Sequence, residues 1–298
     1  MRTIKIAPLL ICFAYITACS NSNRAQQAFD TKDYAKAAAY WKRLAQFDDK
    51  KAQNHLGWLY QHGIGVEQNY SEAIKWYARS AENGLPKAQT NLGLMYQNGK
   101  GTPVNYQAAY YWFNKAALNN NIDAENNIGV LLDQGLGVPE NNYLAIEYFK
   151  RAASKGNASA QNNLGLMYKN GHGSPQDFVK AFYWFSLASE KNDPNALNNL
   201  GAMLDNGYGT PIDRNKALLL FNKSARLGNT QAMINLAAIY ESQVDNPKNL
   251  ISSYAWLNIA AGAGSSMAIS KKIKLEKLLN SEQLNQAQQL SLELTNNK

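Results

Sequence analysis

Apolar and small residues return along this chain at a fixed interval of 36 positions. Alanine stands at Ala52, Ala88, Ala124, Ala160, Ala196, Ala232 and Ala268. Counting each alanine as offset 0, offset 4 reads Leu56, Leu92, Ile128, Leu164, Leu200 and Leu236, and offset 8 reads Tyr60, Tyr96, Leu132, Tyr168, Leu204 and Tyr240. Offset 7 is also apolar, from Leu59 to Ile239. Offsets 0, 4, 7 and 8 share one face at 3.6 residues per turn, so each copy predicts a first helix with one apolar stripe. Offset 5 reads Gly57, Gly93, Gly129, Gly165, Gly201 and Ala237. Glycine inside a helix costs about 1 kcal/mol, so its return in register points to a neighbour that must come close.

Glycine pairs from Gly63 and Gly65 to Gly207 and Gly209 then punctuate the chain, and Pro103, Pro139, Pro175 and Pro211 follow them. Glycine past a helix end takes φ > 0 cheaply, and proline blocks continuation. These pairs follow helices and recur five times, so they read as turns and not as a phosphate loop. A second helix is predicted after Asn69, Asn105, Asn141, Asp177, Asp213 and Asn249, whose side chains can satisfy free N–H groups. Aromatic pairs such as Trp76-Tyr77 and Trp112-Phe113 lie within it. One such unit cannot bury its apolar face alone, so a stacked array is the stable form. The expected fold is an all-α solenoid of helix-turn-helix repeats, six copies over 52–267. Capping helices are expected at 25–51 and 268–298, with Ser281 as the N-cap of the last helix.

The pattern A-x-x-x-L-G-x-x-Y-x-x-G-x-G-x-P, followed by a capped helix with A-x-x-W-[YF], resembles the Sel-one-like repeat, a relative of the tetratricopeptide repeat. That resemblance implies a right-handed superhelix whose first helices line a concave wall, and a non-enzymatic scaffold that binds a protein or peptide there. It also implies roles in envelope assembly, regulation or host contact, or neutralisation of an antibacterial effector as an immunity protein. Cysteine-rich members resemble β-lactamases and carry a disulfide in every repeat. The two cysteines here, Cys12 and Cys19, precede the repeats, so that enzyme is the most remote expectation. The sixth copy departs from the pattern, with Gln243 and Asp245 in place of both loop glycines.

The start of the chain reads as an address. Arg2 and Lys5 precede a short apolar run that ends in Ile16-Thr17-Ala18-Cys19. The run is about a dozen residues, where a membrane span needs about 20. The four residues resemble the bacterial lipobox. This implies a signal peptide over 1–18, lipid on Cys19, a tether over 19–24 and a place on the periplasmic face of the outer membrane. Losing Arg2 and Lys5 takes the formal charge from +8 to +6. The remaining Lys and Arg are scattered, unlike the clustered footprint of a nucleic-acid binder.

First-helix offsets 2, 3, 6, 9 and 10 are expected to face away from the core. Offset 2 carries Asn54, Asn126, Asn162 and Asn198, and offset 3 carries Asn91, Asn127, Asn163, Asn199 and Asn235. An amide donates and accepts at once, so the double row suits either bridging between neighbouring helices or clamping an extended peptide. Trp58 at offset 6 is either an exposed anchor or a residue buried by the N-terminal cap. Offset 9 adds Asp133, Lys169 and Asp205. His55, His62 and His172 are the only histidines, and no third ligand accompanies the first two. No metal, cofactor or catalytic constellation is expected.

Overall fold

A computed structural model describes residues 22–242 and 246–296. The segment expected to be a signal peptide, Cys19, Gln243 and Asp245 lie outside the described residues. Helices joined by turns make up the described residues, with no strand among them. The chain divides between Tyr148 and Phe149 into two compact units. The first holds α1 (22–30), α2 (Tyr34–Gln46), α3 (Lys50–His62), α4 (Tyr70–Glu82), α5 (Pro86–Asn98), α6 (Tyr106–Leu118), α7 (Ile122–Gln134) and the start of α8 (Asn142–Ser154). The second holds the rest of α8, then α9 (Ala158–Asn170), α10 (Phe178–Glu190), α11 (Pro194–Asn206) and α12 (Arg214–Arg226). It ends with α13 (Thr230–Glu241), α14 (Pro247–Gly262), α15 (Ser266–Glu276) and α16 (Ser281–Asn296).

Each of the first five repeats is locked at both ends of its loop. The first helix stops at a left-handed glycine, as at Gly99, where φ is 64° and the N–H returns to Met95 O. The second starts where Asn69 Oδ1 accepts from Glu72 N at 3.0 Å. The same Asn69 donates its own N–H to Tyr60 O at 2.9 Å, and Asn105, Asp177 and Asp213 make the matching bond to Tyr96, Tyr168 and Leu204. One residue therefore caps the second helix and pins the loop to the first.

The core lies between paired helices. Tyr77, Phe113 and Phe185 are fully buried, and Phe221 nearly so. Their rings lie against Gly57, Gly93, Gly165 and Gly201, and a Cβ on Gly93 would stand 2.5 Å from the Phe113 ring. Burying such a ring contributes about 1.5–3 kcal/mol, which exceeds the ~1 kcal/mol that the mid-helix glycine costs. Gly101, at φ +74°, does the same between repeats, because a Cβ there would meet the Tyr70 backbone at 2.8 Å.

Three boundaries differ from the sequence expectation. Asn246, not Asn249, caps α14, its side chain accepting from Lys248 N at 3.0 Å. Pro247 suits the first helical position, having no N–H to satisfy and a preset φ, so the helix begins early. Asn280, not Ser281, caps α16 through a reciprocal pair of bonds with Gln283, 2.9 Å and 3.0 Å long. Residues 22–24, expected in the tether, are already helical. At the sixth repeat α13 ends on Ser242 in a right-handed conformation, where earlier copies use a left-handed glycine.

Replacing Gly93 with Ala should lower the thermal midpoint, because overpacking costs about 1–3 kcal/mol and outweighs the gain in helix propensity. Adding Phe113→Leu should recover part of the loss. A raised midpoint in Gly93→Ala alone would show that the ring does not need the bare backbone.

Candidate functional site

The first-helix face contains two kinds of amide. Offset 2 does not face away from the core. Asn54, Asn162 and Asn198 retain only 6%, 5% and 8% exposure. Each accepts from the offset-3 amide of the following repeat: Asn91 Nδ2 to Asn54 Oδ1 at 3.0 Å, Asn199 to Asn162 at 2.9 Å and Asn235 to Asn198 at 2.9 Å. Neighbouring first helices thus approach at offset 2, and the row there is a seam. The helical wheel of a single repeat cannot show a contact made by the next one. Asn126 and Asn163 are half-buried, and neither is without a partner.

Asn127 differs. Thr90 takes the acceptor's place in the preceding repeat and gives its hydroxyl to Pro86 O, 3.1 Å away within α5. No amide bridge reaches Asn127 among the described residues. Gln97, at offset 9 of α5, has a buried side-chain oxygen without a hydrogen-bond partner. The offset-9 column holds Gln, Asp, Lys and Glu in different copies, so no periodic signal marks Gln97. A further column escaped the sequence reading altogether. Gln53, Gln89 and Gln161 at offset 1 are buried, and their Nε2 groups donate to Ala45 O, Ala81 O and Ala153 O at the end of the preceding helix. Their regular return with 36- and 72-residue spacing was the available signal.

Trp58 is partly buried and packs edge-on against Phe29 of α1, with ring centres 5.8 Å apart. The N-terminal cap therefore covers part of it, and His62 lies 4.5 Å away on another side. His55 stacks on Trp41 at 4.3 Å. Burial, reinforced by Lys87, holds its imidazole below the ordinary value of 6.5. Asp133 and Lys169 are half-buried. Asp205 lies 3.8 Å from Arg214, an ion pair too long for a hydrogen bond. Among the described residues no cluster of three His, Cys, Asp or Glu side chains could hold a metal, and no described helix is long and apolar enough to cross a membrane. The chemistry on offer is hydrogen bonding and apolar contact along the first helices.

A double-mutant cycle of Asn198→Ala and Asn235→Ala should give a coupling of about 0.5–1.5 kcal/mol in denaturant unfolding, the net value of one bridging bond. Zero coupling would remove the seam reading. The folded state favours neutral His55, whereas the unfolded chain takes up the proton near pH 6.5, so stability should fall as pH drops through and below 6.5. His55→Asn, the residue found at Asn91, should shrink the difference in thermal midpoint between pH 7.5 and pH 5.5. An unchanged difference would exclude His55 as its source.

The Sel1 repeat matches six consecutive segments of the chain, 50–85, 86–121, 122–157, 158–193, 194–229 and 230–265. A Sel1 repeat protein from Oxalobacter formigenes is 35% identical, with a TM-score of 0.75 over 80% of this chain and 96% of its own. A protective antigen present in uropathogenic Escherichia coli strains, displaying an SLR fold, is 27% identical with a TM-score of 0.67. The match covers 93% of this chain and spans 60% of that protein. No curated protein sequence matches. With six matched repeats and a relative alike over nearly its whole length, the chain belongs to the Sel1 repeat family.

Proposed function

We propose that this protein is a non-enzymatic scaffold that binds a partner protein through its first-helix face, displayed in the bacterial envelope by lipid on Cys19. One observation carries the binding reading. In the N-terminal unit, Asn127 and Gln97 keep amide capacity that no other described residue uses, while the Asn54–Asn91 pair is spent on the seam. Half-buried polar groups with unmet bonds are uncommon in a finished fold and suit the backbone of an extended partner. Sel1 repeats are typically protein-binding, which agrees with this reading. Neutralising an effector would use the same face. The envelope location rests on the charged start, the short apolar run and Ile16-Thr17-Ala18-Cys19. The absence of Asp after Cys19, where Ser20 stands, favours the periplasmic face of the outer membrane.

Crosslinking in the native envelope, followed by mass spectrometry, should enrich one protein with the unaltered chain. A Gln97→Ala, Asn127→Ala double variant should recover it at least fivefold less with an unchanged circular dichroism melt. Equal recovery would remove these amides from the binding face. Cys19→Ala should abolish labelling by a palmitate analogue, and persistent labelling would refute the lipid anchor.

A further inference from the structure

The repeats differ from one another most usefully at the positions that the fold leaves free. Offset 6 of the first helix is large in early copies and small in late ones: Trp58, Leu94, Val130 and Leu166 give way to Ala202 and Ala238. The first residue of the second helix is Tyr70, Tyr106 and Phe178 in three copies and Arg214 in the fifth. Four residues on, Tyr110 and Phe182 are replaced in the fifth copy by Leu218. All these exchanges fall in one place. Within the C-terminal unit they border a cavity of about 720 Å³ among α11, α12 and α13. That volume lies in the usual range of binding sites, roughly 300–1,000 Å³.

The lining is of two kinds. Ala202, Leu218, Ala238 and Ile239 supply apolar wall, and Asp205 and Arg214 stand together beside it. Arg214 is 80% exposed at its side chain and Asp205 34% exposed. A cation in the first turn of a helix opposes the macrodipole, so Arg214 is not where α12 alone would place it. The 3.8 Å separation leaves the guanidinium donors and the carboxylate lone pairs able to bond a third group. A donor and an acceptor side by side complement the C=O and N–H of a peptide backbone, and the apolar wall complements one large side chain.

We propose that this cavity receives a bulky aliphatic or aromatic side chain from an extended segment of the partner protein, with Arg214 and Asp205 holding the backbone on either side of it. The proposal rests on the protein-binding reading above and adds to it the place and chemistry of an anchor. Two of its lining residues are alanines where earlier copies carry Trp, Leu or Val, so adding bulk at Ala202 and Ala238 should close it.

The test uses the purified full chain and a displayed library of randomised nonapeptides. Selected peptides should share Leu, Ile, Met or Phe at one fixed position. Their affinity, read by fluorescence polarisation, should fall at least tenfold on Ala202→Leu/Ala238→Leu, which installs the residue of Leu94 and Leu166. It should fall several-fold on Asp205→Asn/Arg214→Gln, which alters only partly exposed groups and decides the matter should the leucine variant fail to fold. Peptides that bind unaltered and variant chains equally would overturn the anchor cavity and leave the scaffold reading standing. A library yielding no binder to the unaltered chain would overturn both.

Discussion

Phe113 can be fully buried only because Gly93 leaves its helix bare where the ring lands, and Tyr77 on Gly57, Phe185 on Gly165 and Phe221 on Gly201 repeat the arrangement. The ring replaces a side chain that the first helix does not have, so the two helices of a pair share one layer of atoms. That contact sets their separation, and the loop must then span a fixed gap. The left-handed glycine after the first helix and the Asn or Asp whose N–H returns to offset 8 meet that demand with the same geometry in copy after copy. Rigidity of these four repeats therefore originates in one close approach that leaves no room for a Cβ.

Features confined to one repeat were legible in the sequence. The apolar stripe at offsets 0, 4, 7 and 8, the glycine stop and the caps at Asn69, Asn105, Asn141, Asp177 and Asp213 depend on residues a few positions apart. Contacts between repeats were legible only as one of two readings of the amide rows, bridging or clamping, and the structure shows bridging at three of them. Asn54, Asn162 and Asn198 look outward on the wheel of their own helix and are buried by a helix 36 residues later. Gln53, Gln89 and Gln161 reach carbonyls of the preceding helix. The first-helix caps Asn121, Asn157, Asp193 and Asn229 lie three residues before the repeating alanine, in a column that Leu85 interrupts, and are less regular than the second-helix caps. Asn246 and Asn280 prevailed over Asn249 and Ser281 because local bonds, to Lys248 N and with Gln283, outcompete a position counted by periodicity.

The candidate site shows the same division from the other side. Positions identical in every copy are occupied by packing, capping or the seam and have little left for a ligand. Positions that depart from the repeat, such as Thr90 beneath Asn127 or Ala202 and Ala238 in the offset-6 column, are where polar capacity or empty volume remains. In an array whose copies must stack, a departure costs stability in one layer alone, since each repeat contacts only its neighbours. Specificity can therefore change one repeat at a time without disturbing the rest.

The amide seam has a direction. In Asn91 to Asn54, Asn199 to Asn162 and Asn235 to Asn198, the later repeat donates and the earlier one accepts. Head-to-tail contacts of this kind are not self-limiting, so what stands at the two ends decides where the series stops. This chain closes both ends of the series. At the final repeat offset 2 is Ile234, buried to 5% and without an oxygen to accept. At the first, offset 3 is His55, stacked on Trp41 and committed to the cap. The seam that joins one repeat to the next thus has no amide at either end to extend it.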